Sequence, residues 1–426
     1  MMAVLLQRPA FPVDVTREAA AARESQADWS VRPLAERLWI LRSIRHRLSE
    51  KAGELAKTVA GQTGRSAAEV LSSEILPLAD ACRFLEREAP RILATRRFGD
   101  DGRPAWMGKV DFEIRREPLG LVLILAPSNY PLFLPGVQTL QAITAGNGVL
   151  WKPGRGGFAA ARAFVDLAAL AGLEWQLIQV LPDTPQAGSA ALAAGPDKVL
   201  LTGSAATGRE VLAEAGRRLV PTTAELSGCD ALFVLPGADL ERTAKAIRFG
   251  LTLNGGSTCI APRRVFVPRE LYPELKRRVG ELADISFTAV ADVEEALASA
   301  ARSPYALGVS IFGPEDDARA LAGRVRAGVV TINDLIVPTA DPRLPFGGRG
   351  ESGYGVTRGA EGLLDLTAIK VVSVRRGRWL PHLEERQPGD EELFRAWMAA
   401  AHGDGLGARA RGAARLIKGL IQRGKS

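Results

Sequence analysis

Cysteine and histidine are both scarce in this chain of 426 residues, with three of each. The cysteines Cys82, Cys229 and Cys259 are too few and too scattered for a disulfide framework. His46, His382 and His402 lie far apart, and neither residue type has zinc-ligand spacing, so no metal centre is expected. The longest apolar run, Leu119 to Leu134, is broken by Pro127-Ser128-Asn129-Tyr130-Pro131 and does not span a bilayer. Met1 to Leu6 has neither the basic start nor the apolar length of a secretory signal. These absences point to a reduced, cytoplasmic protein. A net charge of +7 brings no nucleic-acid partner with it, because the arginines are dispersed and no DNA or RNA motif accompanies them.

What is present is an ordinary globular balance, 46% hydrophobic and 24% charged, in a chain long enough for two or three domains. Residues 1–30 read as loose, then helical. From Pro33 to about Ala94 apolar residues recur at helical spacing, Leu34, Leu38, Ile40, Leu41 and Ile44 among them. Cys82 lies on a second such run, Leu71 to Phe84, and reads as core. Gly108 to Glu117 alternates as a strand. Then strands at Leu119–Ala126, Gly148–Trp151, Trp175–Leu181, Lys198–Leu201 and Thr222–Leu226 alternate with helices at Leu132–Thr144 and Phe158–Ala171. That rhythm predicts a parallel sheet with right-handed crossovers, and such sheets bind ligands beyond the carboxyl ends of their strands. It returns after a helix at Asp239–Leu251. Strands are expected at Val265–Val267, Val309–Phe312 and Val329–Ile332, and helices at Leu271–Leu282, Val293–Ala301 and Asp316–Arg326. The fold class is therefore α/β, with two domains built on parallel sheets.

Candidate chemistry clusters at the strand ends. Asn129 follows the first buried strand, where its amide can donate to an oxyanion, although a turn asparagine is the commoner reading. Lys152 ends the next strand, within reach of a ribose or phosphate oxygen. Gly203 and Ser204 sit in Thr202-Gly203-Ser204, a turn into a helix whose amino end suits a phosphate; without a G-x-G-x-x-G pattern this is a weak signal alone. Glu225 and Leu226 end a further strand, and a carboxylate there serves either as a general base or as a surface group. Cys259 lies in Leu253-Asn254-Gly255-Gly256-Ser257-Thr258-Cys259, a glycine-rich turn between helix and strand. It reads as a nucleophile or as a small core residue.

Together, Asn129, Lys152-Pro153, Thr202-Gly203-Ser204, Glu225-Leu226-Ser227-Gly228, Cys259 and the stretch Pro345 to Gly355 resemble the aldehyde dehydrogenase superfamily in order and spacing. The resemblance runs from about residue 30 to 374, with one gap. It implies that Cys259 attacks an aldehyde, that Asn129 and the Cys259 main-chain N–H hold the oxyanion, and that Glu225 activates water to release an acid. It also implies NAD or NADP as cofactor, held by Lys152, Arg155, Gly203, Ser204 and Leu226, and a homodimer or tetramer joined by a small β-arm. On this resemblance, residues 1–107 with 118–226 form the cofactor domain and 227–360 the catalytic domain. The arm is 108–117 with 361–374, and 375–426 is a basic tail.

The chain departs from that pattern after residue 282, where a segment carrying an E-x-F-G-P motif is missing. Phe312-Gly313-Pro314 follows a later strand and is not its counterpart. Gln138 and Thr357 stand where many members have a lysine and a glutamate. Arg155 replaces a glutamate common in NAD-preferring members, so NADP is favoured. Phe133, Leu134 and Val137 are expected at the entry, hinting at an apolar aldehyde. A catalytically silent scaffold, or a CoA-acylating or reductive relative, remains an alternative reading. In the tail, Leu416, Ile417, Leu420 and Ile421 make an apolar stripe from Ala413 onward, opposite Arg411, Arg415, Lys418 and Gln422. An anionic membrane surface or a partner protein is its expected contact, and a helix packed on its own domain the competing one.

Overall fold

Leu121–Leu125 is apolar at all five positions and buried at all five, as a strand covered on both faces requires. The computed structural model describes residues 13–377 and 380–423. The expectation for residues 1–6, and the first part of that for 1–30, lies outside the described residues.

Helices come first: α1 (Thr16–Val31), α2 (Leu34–Glu50), α3 (Ala52–Thr63), α4 (Ala67–Val70) and, after a π-helical turn at Leu71–Ile75, α5 (Leu76–Ile92). Ile40, Leu41, Ile44 and Leu48 form the buried side of α2, at the three- and four-residue spacing that its sequence shows. Cys82 on α5 is fully buried in the same core. Strands β1 (Arg96–Phe98) and β2 (Val110–Pro118) follow.

Next comes the alternating half: β3 (Leu121–Leu125), α6 (Phe133–Ala145), β4 (Gly148–Lys152), α7 (Phe158–Leu170), β5 (Ile178–Val180), α8 (Pro185–Ala193), β6 (Lys198–Gly203), α9 (Ala205–Arg217) and β7 (Thr222–Leu226). Its strands lie in the order β7-β6-β3-β4-β5, all parallel. Two readings of the sequence are corrected here. The strand expected over Trp175–Leu181 shrinks to three residues, because Trp175 is 62% exposed in the turn before it. Helix α8, capped by the Thr184 hydroxyl accepting from Ala187 N–H, is an addition to the elements expected from the sequence.

The later half runs β8 (Asp230–Val234), α10 (Leu240–Thr252), β9 (Pro262–Pro268), α11 (Tyr272–Val279), β10 (Ser286–Val290), α12 (Val293–Ala300), β11 (Tyr305–Ala306), β12 (Gly308–Phe312), α13 (Glu315–Ala322), β13 (Val329–Ile332), β14 (Arg349–Gly350), β15 (Gly353–Tyr354) and α14 (Gly359–Asp365). A second parallel sheet has the order β10-β9-β8-β12-β13. Strands β8 and β10 are additions to the sequence reading; β10 alternates weakly and is half exposed at an edge. The two-residue strand β15 pairs antiparallel with β7, placing Gly353 opposite Glu225. That pairing carries the late glycine-rich loop to the first sheet.

Two compact units result, 1–96 with 114–371 and 97–113 with 372–426. Both parallel sheets belong to the first; the five parallel strands of one end at residue 226 and those of the other begin at residue 230. The second unit contains most of β1, the start of β2, the end of β16 (Thr367–Arg375), and two helices, α15 (Asp390–His402) and α16 (Gly405–Arg423). Helix α16 begins at Gly405, well before the expected Ala413. Two of its glycines face its neighbour: a Cβ at Gly412 would strike Ala399 and Ala400, and one at Gly419 would strike Leu393. Ile417, Leu420 and Ile421 are left exposed. Among the described residues no helix is long and apolar enough to cross a membrane.

Candidate active site

Three consecutive residues, Asn254, Gly255 and Gly256, take positive φ values of 55°, 57° and 76°. The glycines accept this at little steric cost, and a Cβ at Gly256 would meet the Leu251 carbonyl oxygen. Asn254 is held there by its own contacts. Its N–H donates to Glu69 Oε1 at 2.8 Å, and its amide Nδ2 donates to the Asn129 carbonyl oxygen at 2.8 Å. The left-handed run turns the chain between α10 and β9 and delivers Cys259 to a cavity of about 360 Å³. Glu225, Tyr130, Phe133, Leu134, Phe249, Ile260, Phe346 and Arg358 also line it. Val137 does not: one turn further along α6, it is buried in the core.

Cys259 is half-buried. Burial pushes its thiol up, and the nearby Glu225 and Asp230 carboxyls push the same way; the Arg358 guanidinium opposes them. Glu225 is almost wholly buried at the carboxyl end of β7. Its Oε2 accepts from the Thr357 hydroxyl at 3.3 Å, and its Oε1 has no hydrogen-bond partner. Desolvation raises its pKa, against the pull of Arg358 and Thr357. A carboxylate of this kind is a stronger base than one in water.

Asn129 reaches the cysteine loop without lining the cavity. Its Nδ2 donates to the Ser257 carbonyl oxygen at 2.7 Å, and its Oδ1 accepts from Tyr130 N–H at 3.1 Å. An amide has two donor protons, so one remains beyond the Ser257 contact. Glu74 fixes this region. It projects inward from the π-helical turn, is wholly buried, pairs with Arg65, and accepts from the N–H groups of Leu132 and Phe133 at 2.8 and 2.9 Å. Removing one partner of such a buried pair costs about 3–5 kcal/mol.

The expected cofactor residues gather at the carboxyl edge of the first sheet. Lys152 ends β4, half-buried; desolvation lowers its ammonium pKa, with Asp183 opposing. Arg155, three positions on, is exposed and forms no ion pair among the described residues. Gly203 ends β6. The Ser204 hydroxyl caps α9 by accepting from Thr207 N–H at 3.2 Å, and the first N–H groups of that 13-residue helix keep their free ends. Leu226 is buried with its methyls against Gly208, where a Cβ would collide with them. Gly154 closes in on the Pro127 main chain in the same way. This edge suits the diphosphate and adenosine of a dinucleotide: backbone can approach closely, a helix amino end is available, and two cations stand nearby. Ser310, two residues before Phe312-Gly313-Pro314, lies on β12, and its hydroxyl is 3.0 Å from that of Thr331.

Sequence reasoning missed three groups. Arg358, Asp230 and Asp183 carried no motif, and each is brought to the site by contacts across many residues. Arg358 at least immediately follows Thr357, which the sequence did single out.

The profile described as Aldehyde dehydrogenase family matches residues 8–284 and 285–372. The chain is 29% identical over 434 aligned positions to 4,4'-diapolycopene aldehyde oxidase of Methylomonas sp, covering 84% of this chain and 82% of that one. A Mycobacterium ulcerans protein provisionally named succinate-semialdehyde dehydrogenase (NADP(+)) 2 is 27% identical, with 85% of each chain covered. Among solved structures, the NAD-dependent aldehyde dehydrogenase of Sinorhizobium meliloti superposes with a TM-score of 0.80 at 23% identity, covering 87% of this chain and 88% of that one. The two matched stretches of the profile meet between Asp284 and Ile285.

Proposed function

Because the chain belongs to the aldehyde dehydrogenase family, we propose that it oxidises an apolar aldehyde to a carboxylic acid with NADP or NAD. The observation that carries this reading is one cavity lined by both Cys259 and a buried Glu225 whose Oε1 is unpartnered. The Cys259 sulfur attacks the carbonyl carbon. The oxyanion that forms is taken by the second Asn129 Nδ2 proton and the Cys259 main-chain N–H. A nicotinamide nucleotide bound at the carboxyl edge of the first sheet would supply the hydride acceptor. Hydride loss leaves an acyl thioester on Cys259. Glu225, anchored by Thr357, takes a proton from water; the hydroxyl adds to the thioester, and the C–S bond breaks to release the acid and the thiol.

Lys152, Gly203, Ser204 and Leu226 would hold the diphosphate and adenosine, and Arg155 the extra phosphate of NADP. The lining by Phe133, Leu134, Phe249, Ile260 and Phe346 favours an apolar substrate, in keeping with the name of the Methylomonas relative. A water-activating base also distinguishes this reading from transfer to CoA. A homodimer or tetramer is proposed through β16, an edge strand of the β1-β2-β16 sheet with Ile369 and Val371 exposed. Turnover with a panel of aliphatic and aromatic aldehydes, with the reduced cofactor and the acid product both measured, tests the whole. Absence of acid from every aldehyde, with cofactor bound, would leave a silent scaffold as the answer.

A further inference from the structure

Arg358 is 4% exposed inside the cavity that Cys259 and Glu225 share. Its guanidinium lies over the Phe346 ring, 4.5 Å from the centroid, with the Phe133 ring at 5.8 Å. Nη1 donates to the Thr339 carbonyl oxygen at 2.6 Å, and the main-chain N–H donates to Gln141 Oε1 at 3.2 Å. Nε has no partner, and no carboxylate comes within ion-pair distance among the described residues. The backbone is at φ 63°, ψ 178°, a region that side-chain-bearing residues rarely occupy. Thus a cation is buried, held between aromatic rings on a strained backbone, without a direct counter-ion. Isolated burial of that charge is costly unless negative charge lies close.

The groups that can provide that charge are those facing the cavity. Glu225 and Cys259 both act on the guanidinium. Asp230 also faces Cys259, but its own burial keeps it protonated well above the ordinary range. Tyr130 lines the same cavity, its hydroxyl 2.9 Å from the Thr258 hydroxyl, with its phenol pushed up to about 12, so it stays neutral. The negative charge in the cavity therefore resides on Glu225 or on the Cys259 sulfur.

We propose that Arg358 is a positioning residue for the nucleophile, its fixed positive charge balancing one negative charge that moves between the Glu225 carboxylate and the Cys259 sulfur. The proton of the Cys259 thiol passes to a Glu225 carboxylate oxygen, leaving a thiolate and a neutral acid; in turnover Glu225 gives that proton up to solvent after the thioester forms, before it takes one from water. The sum of charges with Arg358 is zero before and after, so the low-dielectric cavity meets no uncompensated ion in either state. This lets a half-buried thiol beside two carboxyl groups react. It rests on the catalytic roles proposed above for Cys259 and Glu225.

The test is alkylation of Cys259 by iodoacetamide across pH, followed by peptide mass spectrometry on the full chain without aldehyde or cofactor. In Arg358→Met the midpoint of the Cys259 profile should move upward by about one pH unit, which is about a tenfold slower reaction at a pH below it. Arg358→Lys, which keeps the charge but not the planar stack on Phe346, should fall between Met and wild type. NADP affinity should stay within about twofold in both, since Arg358 is not among the cofactor residues. A wild-type alkylation profile in Arg358→Met overturns the proposal, even if that variant has lost turnover. Should Arg358→Met fail to fold, Arg358→Gln, which also removes the charge but keeps hydrogen-bond donors, decides: an unshifted profile overturns the proposal, and an upward shift supports it. The assay uses no aldehyde, so a shifted profile in a protein that oxidises none would preserve this inference while removing the proposed reaction.

Discussion

Arg155→Glu should reverse the choice between the two nucleotides, and the size of the change follows from exposure. Arg155 stands on the loop after β4, open to solvent and unpaired among the described residues. A hydrogen bond to a charged group contributes about 1.5–3 kcal/mol when sheltered. Solvent and salt screen an exposed one, so about 1 kcal/mol is the appropriate share for the guanidinium–phosphate contact. A glutamate in its place adds repulsion. Two unit charges 4 Å apart in water interact by about 1 kcal/mol, and a phosphate monoester carries close to two charges. The combined change is about 3 kcal/mol, or roughly 100-fold weaker NADP binding. NAD, without that phosphate, should bind as well or slightly better, because the new carboxylate can accept from ribose hydroxyls. The wild-type preference itself should be moderate: Asp183, which accepts from Gly156 N–H at 2.7 Å, places an acid on the same edge. Calorimetric titration of both nucleotides at low and at physiological salt measures this. The NADP effect should shrink with salt, since an exposed charge is screened over about 10 Å at 0.1 M. An unchanged ratio of the two affinities in Arg155→Glu would show that Arg155 does not meet the cofactor.

Cys259→Ala should abolish turnover and leave the melting temperature close to wild type, as a half-buried side chain beside a cavity is being shortened; retained activity would remove the nucleophile from the mechanism. Iodoacetamide should modify Cys259 before Cys229, which does not line the cavity, and before Cys82, which is wholly buried in the helical core; the reverse order argues against an accessible site. Glu225→Gln should slow deacylation about 100-fold or more and let an acyl-enzyme accumulate, visible as a mass increase on the Cys259 peptide. In the wild type the same step should require Glu225 ionised. Its raised pKa places the acid limb of the pH–rate profile above the ordinary carboxylate range, with activity lost as pH falls through it; a limb near pH 4 would contradict the buried environment. In the tail, Gly405 onward has six Arg and Lys residues and no acid, and Ile417, Leu420 and Ile421 are exposed on α16. The full chain should therefore sediment with anionic liposomes and a chain ending at Arg376 should not; equal behaviour of the two discards the tail as a membrane contact.

The sequence alone determined the parts whose cause is local. An unbroken apolar run at Leu121–Leu125 can only be a strand with both faces covered, and the alternation that follows it can only build a parallel sheet. Polar motifs at successive strand ends then converge on one edge, because a parallel sheet puts all its carboxyl ends together. Asn254-Gly255-Gly256 foretold a turn by the backbone freedom of its glycines. What the tertiary structure decided is what depends on distant partners. Strand β10 was illegible because an edge strand needs no strong alternation. Strand β8 breaks the alternation, since it follows β7 after only three residues with no helix between them. Arg358 reads as one more surface arginine until Phe133 from α6 and Phe346 from the late loop close over it, more than two hundred residues apart in the chain. Likewise, Glu225 is an ordinary strand-end carboxylate in the sequence. Packing removes its water, and antiparallel addition of β15 brings Thr357 to one oxygen while the other remains unpaired. Burial and charge compensation are properties of the assembled neighbourhood, and local pattern does not encode them.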